Sequence, residues 1–391
     1  MNTCTHLVIK GAIAAVLIAG TSTSAQPGID HSVGSDVVLL AAGGNSDVDH
    51  SDGASTHSNT NSGDSSHNRN FTKARHGGSA SNANRDSSHN RNRAEADGTG
   101  SSAIIANNPG SSYNRNAATA KHGSSATIQN GGSVDPNDGI PSHNTNTATA
   151  DHGSRAAIRN NSGTHNTNTA TADGTDSYAT DTVSGNSNDN TSASTATRGG
   201  TARNFVADGN ANHNSATADN GGLATTFISN GSSNRNTVSA MGAGSTATTE
   251  SYDGNHNRNS ATAVGAGSLS TVVTSGGNDT NSARSTNGGH ASSSIQGNNS
   301  KASAVADGAG RAVVQVNADN ATGTAEASRG GSASAVANRP GTYSYAKAVG
   351  AGATASASTD GTSAATDTAS ATCTGSGHAV AFTSSGKFDF C

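Results

Sequence analysis

The sequence predicts an all-β fold: a β-solenoid of stacked coils, each about 22 residues long and closed by Gly-rich turns. Three observations lead there. A phrase built on Asn-x-Asn, as in His256-Asn257-Arg258-Asn259, returns at a nearly constant interval along most of the chain. After each phrase small residues alternate with polar ones, which is the period of a strand, and glycines punctuate the runs. Hydrophobic residues make up only 30% of the 391 residues and aromatics 3%, so the thick core of an ordinary globular domain is out of reach. The same composition leaves an alternative open, a largely disordered low-complexity chain, because little apolar surface offsets the entropy of ordering.

Taken in chain order, residues 1–25 read as an export signal. Lys10 precedes an apolar run from Gly11 to Gly20, and Thr23-Ser24-Ala25 supplies small residues for cleavage. A secreted or cell-surface location follows, with no membrane span left after cleavage. Residues 26–56 are expected to cap the stack, with Asp36-Val37-Val38-Leu39-Leu40 as the capping strand. The repeats fill residues 57–320. Their anchor runs through Asn70, Asn92, Asn116, Asn146, Asn168, Asn190, Asn214, Asn236 and Asn259, then more loosely through Asn281, Asn299 and Asn320. One interval is lengthened by an insertion at residues 133–141. Residues 321–372 carry degenerate Ala/Gly/Ser-rich repeats, and residues 373–391 form a terminal cap bounded by cysteines. Cys373 and Cys391 are an even pair in an exported chain, which predicts a disulfide-closed hairpin; a free thiol at Cys391 is the alternative.

Charge assigns each strand an inside and an outside. Counting from the anchor, Ala94 and Ala96, Ala118 and Ala120, and Ala148 and Ala150 share one parity, whereas Arg93, Glu95, Asp97, Lys121 and Asp151 share the other. Unpaired charge is excluded from a packed interior, so the Asn-Ala-Ala face points inward. Ordering the backbone costs about 1–2 kcal/mol per residue, while a buried methyl group returns only about 0.8 kcal/mol. Hydrogen bonds must therefore carry much of the stability. A ladder of Asn70, Asn92, Asn116, Asn146, Asn168, Asn214, Asn236 and Asn259 along the axis is the expected source.

Function is expected on the outward parity. Histidine recurs just before the anchor at His67, His89, His143, His165 and His256, with Tyr113 in the same place once. Such a column is suited to a solvated row, a pH switch or weak metal binding, with no tight cluster that names a metal. Arg69, Arg91, Arg115, Arg235 and Arg258 would add a basic stripe for polyanionic glycans. Thr145, Thr147 and Thr149, with Thr167, Thr169 and Thr171, form outward Thr-x-Thr rows compatible with ice binding. Two Asp-rich stretches, Asn45-Ser46-Asp47-Val48-Asp49 and Asp135-Pro136-Asn137-Asp138-Gly139, are expected as turns, with calcium binding as the alternative. No catalytic constellation, phosphate loop or nucleotide fingerprint stands out, so neither catalysis nor a cofactor is expected. A net charge of -5 argues against nucleic acid as a partner.

Around Gly231-Ser232-Ser233-Asn234-Arg235-Asn236-Thr237-Val238 the repeat resembles curlin, the subunit of secreted bacterial amyloid fibres, although it lacks the glutamines that curlin holds at fixed strand positions. The segment Ser344-Tyr345-Ala346-Lys347-Ala348-Val349-Gly350-Ala351 resembles the head repeats of trimeric autotransporter adhesins. Both resemblances imply extracellular β-repeat proteins that self-assemble or adhere. The expected function is structural or adhesive, at the cell surface or in the extracellular matrix, with self-assembly or surface glycans as the partners.

Overall fold

A computed structural model of the chain describes residues 37–41, 44–52, 54–131, 141–308, 310–329, 331–350, 353–359, 368–372 and 378–382. The export signal, most of the insertion, the Asp135-Pro136-Asn137-Asp138-Gly139 stretch, and Cys373 and Cys391 lie outside them. The described residues form thirty-one strands in chain order, from β1 (Val37–Ala41) to β31 (His378–Phe382). Even-numbered strands join β1 in a 16-stranded sheet and the other odd-numbered strands form a 15-stranded sheet. Each coil gives one strand to each sheet, and every pairing after the first is parallel, as a β-solenoid requires. Only β1 runs antiparallel, against β2 (Asn45–Ser51), so the predicted apolar segment closes the first sheet as a hairpin arm.

Buried and outward positions alternate along the strands, as in β10 (Thr145–Asp151), where Asn146, Ala148 and Ala150 are buried and Thr145, Thr147, Thr149 and Asp151 are not. Ala94, Ala118, Ala148, Ala170, Ala216 and Ala261 have no exposed surface, while Arg91, Arg93, Arg115 and Lys121 are exposed. Alanine on both inner faces brings the two sheets close. Among the described residues, Ile105, Ile128, Ile158, Ile228 and Ile295 are the largest fully buried side chains. His378–Phe382, in the expected terminal hairpin, forms a strand parallel to β29 (Thr354–Thr359).

The thin interior is completed by amides. Asn92 Nδ2 donates to Asn70 Oδ1 at 2.8 Å and to Asn84 Oδ1 at 3.0 Å. Asn107 Nδ2 donates to Asn84 and Asn92 at 2.8 and 3.0 Å, and Asn116 to Asn92 and Asn107 at 2.8 and 3.1 Å. The zigzag continues through Asn130, Asn146, Asn160 and Asn168. A primary amide has two N–H donors and two acceptor lone pairs, and from Asn70 to Asn146 each amide of this network uses all four. Leaving such a group buried and unpaired costs about 1–3 kcal/mol, which holds the coils in register.

This network differs from the expected single column. The first sheet supplies Asn70, Asn92, Asn116, Asn146 and Asn168, and the second sheet interleaves Asn84, Asn107, Asn130 and Asn160. It stops after Asn168, whose register partner in the next coil is Ser192. Asn214, Asn236 and Asn259 form a separate, shorter column, with Asn236 and Asn259 donating to the preceding amide at 3.0 and 2.8 Å. Opposite them stand Val206, Ile228 and Ser251, so the second column is missing.

Three anchor assignments are corrected. Asn190 lies two residues before the anchor slot, which Ser192 occupies. It belongs to another ladder, made by the first Asn of each Asn-x-Asn phrase. There the Asn90 amide N–H donates to Asn68 Oδ1 at 2.9 Å while Asn90 Nδ2 reaches Ser111 O at 3.1 Å, and Asn114, Asn144, Asn166, Asn190, Asn212, Asn234 and Asn257 repeat the pattern. Asn299 and Asn320 sit instead at the corner, with φ of 55°. A further correction concerns Asn45-Ser46-Asp47-Val48-Asp49, expected as a turn. It is strand β2, with Asp47 and Asp49 buried.

Candidate functional site

The phrase His-Asn-Arg-Asn builds one corner of the coil. Its His takes left-handed backbone geometry, with φ of 55° at His67, 57° at His89, 55° at His143, 58° at His165 and 60° at His256. His, Asn and Asp tolerate that region better than other side chains. The Asn that follows turns inward, the Arg outward, and the second Asn inward again. Repetition in register stacks the corner rings. Centroids are 4.7 Å apart for His67–His89, 4.6 Å for His89–Tyr113, 4.8 Å for Tyr113–His143 and 5.1 Å for His143–His165. His256 stands apart from this rail, because Ser233 and Asn278 occupy the corner in the coils before and after it.

Beside the rail, Arg69, Arg91 and Arg115 occupy directly paired positions on three successive strands. The face around them also carries Lys73, Arg75, Arg93 and Lys121, against Glu95 and Asp97. Arg93 pairs with Glu95 and lies over the Phe71 ring, 5.1 Å from its centroid. The Arg row then gives way to Thr145, Thr167 and Thr191, continues through His213, and resumes as Arg235 and Arg258. The predicted stripe is therefore two clusters: His67, Arg69, His89, Arg91 and Arg115 in one, and Arg235, His256 and Arg258 in the other.

Between the clusters lies a hydroxyl-rich field. Thr119, Thr149, Thr171, Thr195 and Thr217 are consecutive register partners on the outer face of the first sheet. The Thr145 and Thr147 rows run alongside. The array is wider than the two Thr-x-Thr coils visible in sequence, since neighbours with a single Thr complete a row.

The opposite corner of the first sheet holds titratable residues that sequence reasoning missed. His76, His122 and His152 have φ of 50°, 48° and 51°, and each is followed by a glycine with φ of 81°, 77° and 77°. Two consecutive left-handed residues make a tight turn, and only glycine takes the second place without strain. His76 Nδ1 meets Asp97 Oδ1 of the next coil at 2.5 Å, and His122 Nδ1 meets Asp151 Oδ1 at 2.6 Å. His152 Nδ1 lies 3.3 Å from Asp151 Oδ1 and 3.6 Å from Asp173 Oδ1. The signal was present in Arg75-His76-Gly77, Lys121-His122-Gly123 and Asp151-His152-Gly153, each at the end of the run after an anchor.

These contacts set the local electrostatics. The hydrogen bond to Asp97 raises the His76 pKa, and the same bond holds the Asp97 carboxyl below its usual range. At Asp151 burial pushes the pKa up, but the bonds from His122 and the His152 amide, together with both ring charges, outweigh it and the net shift is downward. Arg198 continues the corner and, with Thr197, draws Asp219 down to about 2. The chain matches no protein-family model, no curated protein and no solved structure.

Proposed function

We propose that this protein is a non-catalytic adhesive scaffold, exported from the cell, that binds polyanionic glycans along the first outward face. One observation carries the reading: the in-register row Arg69, Arg91 and Arg115 beside the stacked rail of His67, His89, Tyr113, His143 and His165. A rigid parallel sheet repeats an Arg on three successive coils here, so a linear polymer with regularly spaced anionic groups meets several partners without ordering the protein first. The aromatic rail offers flat ring surface next to that row. The net charge of -5 keeps the rest of the surface repulsive to polyanions and confines attachment to this face.

Retention on an immobilised sulfated polysaccharide tests the reading. The full chain is expected to bind at low salt and elute as salt screens the face. Replacing Arg69, Arg91 and Arg115 together by Ser should weaken binding about 10- to 100-fold, at roughly 0.5–1 kcal/mol per exposed ion contact. Identical elution of parent and triple variant would refute the assignment.

A second reading, recognition of ice, is favoured by the Thr119–Thr149–Thr171–Thr195–Thr217 row, in which hydroxyl and methyl groups repeat on a flat face. It predicts thermal hysteresis that falls sharply in Thr149→Lys and Thr171→Lys variants. Freezing behaviour no different from that of an inert protein of equal mass would remove it.

A further inference from the structure

His122, Asp151 and His152 offer ligand atoms that all lie within 4.8 Å of one another on the second corner. We propose that this corner is a binding site for a divalent transition-metal ion such as Zn²⁺, Cu²⁺ or Ni²⁺, ligated by His122 Nδ1, His152 Nδ1 and the Asp151 carboxylate. The donor set fits: two imidazoles and a carboxylate suit these borderline ions better than Ca²⁺ or Mg²⁺, which take oxygen ligands.

One ligand pair already has the spacing of a loaded site, and the stacked rings must turn for both Nδ1 lone pairs to meet one ion. A tetrahedral ion with bonds of about 2.0–2.2 Å holds its ligands roughly 3.3–3.6 Å apart. His152 Nδ1 and Asp151 Oδ1 are already 3.3 Å apart. The 2.6 Å contact between His122 Nδ1 and Asp151 Oδ1 is a hydrogen bond, and it must widen when the ion takes the proton's place. Exposure permits this, since the His122 and His152 side chains are 62% and 61% accessible. Asp173, 3.6 Å from His152 Nδ1 on the following coil, stands within reach as a fourth ligand.

The backbone organises the set in advance. His122 and His152 occupy the same left-handed turn position on neighbouring coils, and their rings stack at 4.7 Å. Bound there, an ion joins β8 (Arg115–Lys121) to β10 across 29 residues of chain. Elsewhere on this corner, among the described residues, His76 faces Asp97 with no second imidazole at ligand distance, and Arg198 takes the place of a ligand. The site is thus local to these coils and distinct from the aromatic rail, whose rings stack without a carboxylate between them.

Calorimetric titration of the full chain with ZnCl₂, and electron paramagnetic resonance with Cu²⁺, test the proposal. One site with two imidazole nitrogens in the Cu²⁺ spectrum is expected. His122→Asn and His152→Asn should each weaken it by about 100-fold. Asn keeps the turn, because Asn220 and Asn287 take φ of 49° and 55° at the same corner. Unchanged circular dichroism in these variants would tie the loss to the ligands. His76→Asn and His89→Asn should leave affinity unchanged. The proposal is overturned if no Zn²⁺ binds, if both ligand variants bind as the parent does, or if His89→Asn abolishes binding.

Discussion

Ala261→Asp is expected to destabilise the protein by about 3–5 kcal/mol, the usual penalty for an uncompensated buried charge. Ala261 has no exposed surface and lies in the apolar cluster with Val238, Ala263, Val272 and Ala283. Its register partners on the flanking coils are Val238 and Ala283, so neither offers a donor. The neighbouring substitution Thr262→Asp should change stability by less than about 0.5 kcal/mol. Thr262 faces outward and pairs in register with Arg284, which welcomes a carboxylate. Because solenoid coils contact mainly their neighbours, the damage from Ala261→Asp should appear first as enhanced amide exchange around β20 (Arg258–Ala263), before the remote coils open. Comparable losses for the two variants in chemical denaturation would show that the inward parity is wrong.

Asp181→Asn is expected to stabilise the protein at pH 8 by about 4 kcal/mol, with little change at pH 3. Asp181 is fully buried on β13 (Tyr178–Ser184), between Ile158 and Asn204 in register. Its Oδ1 accepts from Ser194 Oγ at 2.5 Å and from Asn204 Nδ2 at 3.0 Å, while Oδ2 has no partner among the described residues. Burial outweighs those bonds and pushes the pKa from 3.8 up to about 7. The folded state therefore holds a proton that the unfolded chain releases at lower pH. The contribution is fully present below 3.8, falls as pH rises towards 7, and is constant above that. An amide has the same shape and no charge to lose, so this decline should be absent from the variant's pH profile and appear in full as the difference between the two. Asp279 acts in the same direction, since burial raises its pKa to about 6 and its Oδ2 also lacks a donor. A gain that is equal at pH 3 and pH 8 would refute this assignment of the proton.

Period and parity were legible in the sequence because they are local. Alternation of Ala148 and Ala150 with Thr147, Thr149 and Asp151 states which side of a strand is dry, whatever lies beyond it. Alternation does not state which residue meets which across the interior. Asn116 touches Asn107 and Asn130, 9 and 14 residues away, and those distances depend on turn geometry. The second column of the amide network was hidden for this reason. Asn190 was misplaced because Asn188-Asp189-Asn190 imitates the phrase two residues early, while the true slot holds Ser192, which no search for Asn finds. The His–Asp corner was concealed in another way. Its contacts run between one turn and the end of the next coil's strand, 21 residues apart for His76 and Asp97, and look like scattered charge until the coils stack.

The amide network also has an electrical direction. Its Nδ2 groups point toward the N-terminal end, so the amide dipoles add along the stack as peptide dipoles add along a helix. The first members, Asn61 and Asn70, direct their N–H groups at the Asp47 carboxylate, at 3.1 Å and 2.8 Å. A carboxylate accepts without needing to donate, which is what the positive end of such an array requires. At the far end the last free acceptor, Asn168 Oδ1, stands in register with the buried hydroxyl of Ser192. Asp47 thus serves this column of side chains as an acidic N-cap serves a helix, and the solenoid acquires a head and a tail that its repeating composition does not announce.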